Sequence, residues 1–403
     1  TLHDGYQELV ADSWAEPVFG TDQFVLKSKL VRLKSKLRLL NKEHFHHISQ
    51  QALRAKDALE VAQGTLLSGG GQPADYNRLI TISCAPVPFC LRRRRNSSTN
   101  NVRSVQKGSD RCTRFFHDLV KRNNKRNSIV AITKRSGEHT TSLSEAEFVD
   151  YFQSLLGQPV QCSPLDSTLL MGQQLTDGQR QELINVVTAE EIRAALFDIG
   201  SDKAPGPDGY GAKFFTSAWD TVGPDVQRAV QEFFVTGRLL RQWNHTLIAL
   251  VPKSDHSPQV RDYRPISCCT VIYKVISKIL ASRMAKVMDR LLDPAQAALV
   301  RDRSIAENIH LAQELLRKYA RKRISPRCVL KVDLQKAFDT VDWGFLQAAL
   351  VGYGFPQQFR QWITECVTTV SFSIGINGGI HGFFQGRRGL RQATLPPTFW
   401  AMS

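Results

Sequence analysis

A short apolar segment that ends in a carboxylate is the feature that most constrains the fold of this chain. Residues 328–330 are apolar, and Lys331-Val-Asp333 follows them. The pattern predicts a hydrophobic strand that delivers Asp333 at its end and then turns into a helix. Hard divalent cations take oxygen ligands, so a carboxylate on a rigid strand end suits Mg²⁺. A solvated aspartate would give the same pattern, so the segment alone leaves both interpretations open.

Six further blocks of distinctive sequence occur in order between Lys203 and Gln392. Together with the Asp333 segment, they resemble the reverse transcriptase of a plant non-LTR (LINE-type) retrotransposon. The resemblance covers residues 185–392 closely and residues 1–160 loosely. The blocks are Lys203-Ala-Pro-Gly-Pro-Asp-Gly209, Leu247-Ile-Ala-Leu-Val-Pro-Lys253, Asp262-Tyr-Arg-Pro-Ile-Ser267, Gln296 to Asn308, Phe372-Ser-Ile-Gly-Ile-Asn-Gly378 and Arg388-Gly-Leu-Arg-Gln392.

The resemblance implies an α+β fold in which a helical N-terminal connector precedes the fingers and a partial palm of an incomplete right-hand polymerase. The expected function is RNA-directed DNA polymerase, with an RNA template, a DNA primer and dNTPs as partners. Two Mg²⁺ (or Mn²⁺) ions would serve the nucleotidyl transfer. The resemblance implies an intracellular protein of nucleus or cytoplasm, with no membrane partner. The expected divisions are 1–80 for basic connector helices, 81–104 for an irregular loop, 105–185 for a connector α/β segment, 186–392 for fingers and partial palm, and 393–403 for an aberrant tail.

The resemblance also implies a set of site residues. Asp333 would be the catalytic carboxylate and a metal ligand, and the Leu334 backbone carbonyl would assist it. Phe338 would lie beneath the sugar and reject a 2′-hydroxyl, although a core phenylalanine would read the same way. Asp339 and Asp342 are expected to cap the following helix. The remaining candidates are Lys253, Arg264 and Gln392 for the nucleotide, and Lys203, Lys274 and Arg303 for nucleic acid.

Composition agrees with a polyanionic partner without proving one. The formal net charge is +16, which favours salt-dependent binding to nucleic-acid phosphates, although a solvated basic surface would carry it equally well. No stretch reaches the roughly 18 consecutive apolar residues of a membrane span. The eight cysteines form no C-x-x-C pair, which indicates reduced packing cysteines in an intracellular protein.

Local patterns predict several elements. Leucines at 26, 30, 33, 37 and 40 alternate with basic residues and predict an amphipathic helix. A second helix over 52–66 would fold back on it, with the basic face outward. A membrane-surface or calmodulin-target helix shares this pattern. Further predictions are a strand over 129–132, a helix over 147–156, a capping box at Thr188–Glu191, a loop over 205–209, a helix face containing Trp362, Ile363 and Cys366, and a hairpin at Asn377–Gly378.

Two regions depart from the family pattern. Residues 82–104 contain Arg92-Arg-Arg-Arg95 without helical or strand periodicity, and a frameshift explains this run better than a nucleic-acid patch does. After Gln392 the chain reads Ala-Thr-Leu-Pro-Pro, and no Asp-Asp dipeptide occurs in its 403 residues. Because relatives supply further metal ligands from a Tyr-Ala-Asp-Asp motif, we expect this chain to be inactive. The alternative function is a non-catalytic retroelement remnant that binds nucleic acid electrostatically at most.

Overall fold

The computed structural model of the protein mixes helices with a central sheet. It describes residues 5–45, 129, 132–133, 139–140, 145–159, 174–254, 259–292, 295–296, 303–317, 328–332 and 336–391. The chain divides into two compact units, a smaller unit of 8–16 and 29–128 and a larger unit that contains 1–7, 17–28 and 129–403. This mixture of helix and sheet agrees with the α+β class expected from the sequence. The second predicted connector helix and the Arg92–Arg95 run lie outside the described residues.

Twelve α-helices and six strands are found in the described residues. The strands are β1 (Ile132–Thr133), β2 (His139–Thr140), β3 (His245–Pro252), β4 (Tyr263–Cys268), β5 (Ser371–Ile376) and β6 (Gly379–Gln385). The helices are α1 (Tyr6–Ala15), α2 (Asp22–Phe45), α3 (Glu145–Leu156), α4 (Asp177–Ile184), α5 (Ala189–Phe197), α6 (Ala212–Ser217), α7 (Trp219–Thr236), α8 (Val271–Leu291), α9 (Ile305–Leu316), α10 (Ala337–Thr340), α11 (Trp343–Gly352) and α12 (Gln357–Thr368). A single 3-10 turn, Val260–Asp262, precedes β4.

The predicted basic helix is confirmed as α2, whose leucines at 26, 30 and 33 are buried. Within the smaller unit, the Arg32 guanidinium donates to the carbonyls of Ser13 and Glu16 at 2.7 and 2.8 Å. Lys36 also donates to the Glu16 carboxylate, and this bond is the main reason that the Glu16 pKa is lowered. Part of the basic face therefore has a structural partner.

Four strands of the larger unit form a sheet in the order β4-β3-β5-β6. Strands β3 and β5 pair in parallel, and the two outer pairs are antiparallel. The predicted hairpin at Asn377–Gly378 is confirmed, because these residues join β5 to β6 with φ values of 48° and 88°. Positive φ at both central residues is what a tight two-residue hairpin turn requires.

The strand predicted over 129–132 is confirmed at its end and wrong at its start. Ile132 lies in β1, in which Ile132 and Thr133 pair with Thr140 and His139, whereas residue 129 lies in no strand and residues 130–131 lie outside the described residues. Ile129 instead exchanges two hydrogen bonds with the Asn377 side chain, at 3.0 and 2.8 Å. This amide satisfies the Ile129 backbone groups that a neighbouring strand would otherwise satisfy.

One face of the sheet is covered by α3, which confirms the predicted helix and extends it by two residues at its start. Phe148, Phe152 and Leu156 of α3 are buried in one core with residues of all four strands of the sheet. Burying each such side chain contributes about 1.5–3 kcal/mol relative to exposure. The sheet residues in this core include Ile248, Leu250, Phe372, Ile374, Ile376 and Phe384.

The capping box predicted at Thr188–Glu191 is half right. Thr188 does cap α5, because its side chain accepts from the Glu191 backbone N–H at 3.2 Å. The Glu191 carboxylate, however, accepts from the buried Arg283 guanidinium at 2.7 and 2.9 Å. Because the buried Arg283 cation needs a charged partner, the Glu191 carboxylate pairs with it and does not bond to the backbone at the start of α5. A reciprocal capping box is present at Thr176 and Gln179, at the start of α4.

The strand predicted ahead of Asp333 is not formed. Residues 328–332 have no regular secondary structure, and Val329, Leu330 and Val332 are 63, 82 and 69% exposed. A strand needs a hydrogen-bonded neighbour, and within the described part of the chain these residues join no sheet. Apolar sequence alone was therefore insufficient to place this strand.

Candidate nucleotide-binding site

Two blocks that are far apart in sequence lie side by side in the larger unit. The Leu390 backbone N–H donates to the Phe338 carbonyl at 2.7 Å, and the Gly389 N–H donates to the Val341 carbonyl at 2.8 Å. The Trp343 indole N–H donates to the Gly389 carbonyl at 3.0 Å. These three bonds fix the segment around Phe338 against the segment that leads to Gln392.

Gly389 is required where these two segments meet. Its φ is +84°, a left-handed conformation that side chains rarely adopt, and an added Cβ would lie 2.8 Å from the Asp339 carbonyl oxygen. Only glycine avoids both penalties. The glycine therefore lets this segment approach the Asp339 backbone closely.

Two aspartates near Phe338 behave differently. Asp342 caps α11 as predicted, because its carboxylate accepts from the Phe345 N–H at 2.8 Å. Asp339 does not cap a helix, since it lies within α10. Burial raises the pKa of the Asp339 carboxyl, and the nearby cations Lys336 and Arg388 oppose this increase.

An open cleft with a cavity volume of about 30 Å³ lies beside this junction. Its walls come from the buried face of the sheet, from α8 and from the 388–391 segment, and Asp339 contributes to the lining. This volume is far below the usual range for small-molecule sites, so the cleft by itself does not enclose a nucleotide. The polar and charged lining residues are Ser267, Tyr273, Asp339, Arg388 and Arg391.

Arg391 anchors the last described segment before Gln392. Its buried guanidinium donates to the Asn244 side chain, to the Thr246 hydroxyl at 2.8 Å and to the Cys366 carbonyl at 3.1 Å. It also stacks over the Tyr273 ring at 3.8 Å. Sequence reasoning missed this role, because the partners come from three distant parts of the chain. The only local signal was the arginine's place in the Arg388–Gln392 block.

Lys253 and Arg264 share one face of the sheet. Val251 lies opposite Arg264 in the β3–β4 register, and Lys253 lies two residues beyond Val251, so both cationic side chains leave the same side. Both residues are exposed, and the Lys253 amine donates to the Arg261 carbonyl at 2.7 Å. The cleft is lined by Pro265 and Ser267, which point to the opposite face. Both cations thus leave the sheet on the side away from the cleft.

The three nucleic-acid candidates have different surroundings. Lys203 is exposed two residues ahead of the loop predicted over 205–209, which forms neither helix nor strand. The Lys274 amine donates to the Ala204 carbonyl at 2.9 Å, so it ties the segment that enters this loop to α8. Arg303 donates to the Gln296 carbonyl at 2.8 Å and the Leu292 carbonyl at 3.3 Å. Lys274 and Arg303 therefore donate hydrogen bonds to backbone carbonyls within the fold, which the sequence did not reveal.

Asp333, Leu334 and Gln392 lie outside the described residues. Within the described ranges, no group of three or more histidine, cysteine, aspartate or glutamate side chains is placed to hold a metal ion. No described helix is both long and apolar enough to cross a membrane.

The predicted helix face of Trp362, Ile363 and Cys366 is confirmed, because all three side chains are buried on α12.

Comparison with known proteins adds the family relationship. Residues 251–395 match the family model described as reverse transcriptase (RNA-dependent DNA polymerase). The chain is 27% identical over 402 residues to the "Transposon TX1 uncharacterized 149 kDa protein" of Xenopus laevis, which covers 96% of this chain and 30% of that protein. It is 24% identical over 249 residues to the "Retrovirus-related Pol polyprotein from type-2 retrotransposable element R2DM" of Drosophila melanogaster, covering 62% of this chain and 22% of that protein.

A similar relationship holds for a third protein, the "Retrovirus-related Pol polyprotein from type-1 retrotransposable element R2" of Nasonia vitripennis. The identity is 26% over 186 residues, which cover 46% of this chain and 17% of that protein. The chain thus spans less than a third of the length of each of these relatives. It contains the sequence of a reverse transcriptase domain of the non-LTR retrotransposon kind.

Proposed function

We propose that this domain belongs to an enzyme that extends a DNA primer with dNTPs on an RNA template. The family match supports the reaction class. The structural observation that carries the proposal is the backbone pairing of Phe338 with Leu390 and of Val341 with Gly389. This pairing brings Phe338, the residue expected beneath the sugar, next to the Arg388–Gln392 block, which we place beneath the template and incoming base.

In this proposal the nucleotide is held by charge and shape. Lys253 provides a point charge and Arg264 a planar two-pronged donor for the triphosphate, which must then approach the exposed face of the β3–β4 pair. The Phe338 ring selects deoxyribose because it would collide with a 2′-hydroxyl, and Gln392 supports the base. Among the nucleic-acid candidates, Lys203 is exposed, whereas Lys274 and Arg303 would have to release backbone carbonyls first.

The donor chemistry at Asp333 and Leu334 fits Mg²⁺ or Mn²⁺, because a carboxylate and a backbone carbonyl are hard oxygen ligands. Such ions, when bound, would stabilise the charge that develops on the attacking and leaving oxygens. Asp339 does not add an obvious ligand, since its burial favours the protonated form and two cations lie close to it. We therefore assign the metal-binding role to Asp333 and Leu334.

The finer structural assignments are also proposals. The four-stranded sheet would form the fingers, and α10 to α12 would belong to the partial palm of a right-hand polymerase. The divisions at residues 80, 104, 185 and 392 rest on the sequence blocks, as does the assignment to plant LINE-type elements. The location would be the nucleus or the cytoplasm.

We further propose that these 403 residues by themselves do not polymerise DNA. Nucleotidyl transfer by two metals needs carboxylates from neighbouring strands, and the sequence supplies no Asp-Asp pair. The second candidate function is therefore electrostatic binding of nucleic acid without catalysis, which the +16 charge favours.

Two measurements test these proposals with purified chain. In the first, titration with a fluorescent dNTP in Mg²⁺ should show binding that Asp333→Asn weakens, while Asp177→Asn, whose side chain is 98% exposed, leaves it unchanged. Equal binding by all three proteins would contradict the metal assignment.

In the second measurement, primer extension on an RNA template by the purified chain should be absent. Extension that Asp333→Ala abolishes would refute the proposed inactivity and support the polymerase assignment.

A further inference from the structure

Lys336 has an unusual backbone conformation two residues before Phe338. Its φ and ψ are 54° and 36°, in the left-handed region. In the described part of the chain, Asn377 is the other non-glycine residue with positive φ, and it lies in a hairpin turn that requires this conformation. Lys336 instead lies directly before α10, where its carbonyl accepts from the Asp339 N–H at 2.8 Å, and a left-handed lysine is strained there.

The Lys336 side chain contacts α3. The Lys336 amine donates to the Tyr151 hydroxyl at 2.7 Å, and the ammonium lies 4.9 Å from the centre of the Tyr151 ring. The Tyr151 ring in turn packs edge-on against Phe152 at 5.1 Å, and Phe152 is buried in the core. A rigid aromatic ring thus gives Lys336 both a hydrogen bond and a cation–π contact.

The same helix supports the facing segment. The Arg388 guanidinium donates to the carbonyls of Leu155 and Ser154 at 2.6 and 3.3 Å, and the Arg387 N–H donates to the Leu156 carbonyl at 2.7 Å. These are the last carbonyls of α3, where cationic donors are favoured. One helix therefore contacts both segments that meet at the Phe338–Leu390 hydrogen bond.

We propose that Tyr151 is a positioning residue for Phe338 and acts through Lys336. This inference rests on the proposed role of Phe338 against the sugar of the incoming nucleotide. The hydrogen bond to Tyr151 keeps Lys336 left-handed, which sets the start of α10 and the direction of the Phe338 side chain. The nucleotide site consequently includes a helix more than 90 residues ahead of the family match, which begins at residue 251.

The first test is sugar selectivity, measured as the ratio of the dissociation constants for ATP and dATP. Tyr151→Phe and Lys336→Ala should lower this ratio about fivefold, the size expected when one hydrogen bond is lost. The matched control is Tyr353→Phe, a half-buried tyrosine at the end of α11, which should not change the ratio. Phe338→Val tests the proposed function itself and should also lower the ratio.

The outcomes separate the two ideas. If Phe338→Val lowers the ratio but Tyr151→Phe and Lys336→Ala do not, the positioning role is refuted and the role of Phe338 stands. If Phe338→Val has no effect, or if the chain binds neither nucleotide, the proposed role of Phe338 fails instead.

Hydrogen exchange tests the coupling without a nucleotide. The Leu390 amide, which donates to the Phe338 carbonyl, should exchange about fivefold faster in Tyr151→Phe and Lys336→Ala than in the parent chain or in Tyr353→Phe. The Leu390 exchange rate of Lys336→Gly tests whether the left-handed backbone at residue 336, rather than the lysine side chain, protects this amide. Glycine adopts the left-handed conformation without strain. Unchanged Leu390 exchange in both Tyr151→Phe and Lys336→Ala would overturn the inference.

Discussion

At the scale of single residues, the junction between Phe338 and Leu390 depends on Gly389, which has no Cβ. Gly389 combines a left-handed backbone with a contact to the Asp339 carbonyl that leaves no space for a Cβ. Gly237 has a similar φ of 67°, but nothing lies within 4 Å of its missing Cβ. Substitutions at these two glycines therefore distinguish two costs: Gly237 tests backbone strain alone, whereas Gly389 tests backbone strain and steric overlap together.

We expect Gly389→Ala to destabilise the chain more than Gly237→Ala does. The substitution at Gly237 should cost about 1 kcal/mol, because alanine is disfavoured in the left-handed region. The substitution at Gly389 should cost about 1–3 kcal/mol more, because two backbone segments must separate. Urea unfolding of both variants measures the difference, and equal midpoints would contradict the tight junction.

Asp339 gives a prediction for pH dependence. Burial raises its pKa in the folded state above the ordinary value of about 4, so the folded chain binds more protons than the unfolded chain between the two values. Stability from this group is present at low pH and is lost as pH rises through the folded pKa. The stability of Asp339→Asn relative to the parent chain should therefore increase as pH rises above about 4. Thermal melts across this range test it, and a constant difference would contradict the burial argument.

At the scale of elements, helices are joined by buried polar contacts as well as by apolar packing. Arg283 of α8 lies 7% exposed between the end of α4 and the start of α5. It donates to the Leu183 carbonyl at 3.0 Å and to the Asn185 carbonyl at 2.6 Å, in addition to the Glu191 carboxylate. One side chain therefore fixes the connection between two helices.

Arg283→Met should cost about 3–5 kcal/mol of stability, because it leaves the Glu191 carboxylate and several carbonyls without their donor. Arg317→Met is a matched control, since Arg317 and its partner Glu314 are 66 and 64% exposed. The control should change stability by less than about 1 kcal/mol. Denaturant unfolding distinguishes them, and similar losses would mean that Arg283 contributes little beyond its packing.

Sequence predicted the elements whose signals are local. The leucine spacing in α2, the Thr188 cap and the Asn377–Gly378 turn each depend on a few neighbouring residues. Prediction failed where a distant partner decides the outcome. Glu191 turns to Arg283, almost a hundred residues away, and Arg391 collects partners from α12, β3 and the residue before β3. The apolar residues at 328–332 matched a strand, but a strand also depends on a neighbour that a linear pattern does not specify.

At the scale of the whole molecule, the excess of positive charge predicts how the chain meets nucleic acid. If about four phosphates are neutralised, affinity for RNA or DNA should fall about a hundredfold between about 50 and about 200 mM salt. Lys203→Gln should reduce the slope of log affinity against log salt by about one if Lys203 contacts a phosphate. Lys286→Gln, an exposed lysine on α8, is the matched control. Filter binding at several salt concentrations measures both slopes, and affinity that does not depend on salt would exclude an electrostatic interface.

The parallel pairing of β3 with β5 has a consequence for the order in which the chain can fold. His245 pairs with Ser371, 126 residues further on, whereas β3 and β4 are separated by a short connection. Local hairpins close quickly, while contacts of long sequence separation form slowly because loop-closure entropy must first be overcome. During synthesis one edge of β3 in the β3–β4 hairpin would therefore stay unpaired until β5 emerges from the ribosome. An open edge of this kind recruits other chains, so this interval is when the growing polypeptide most needs a chaperone.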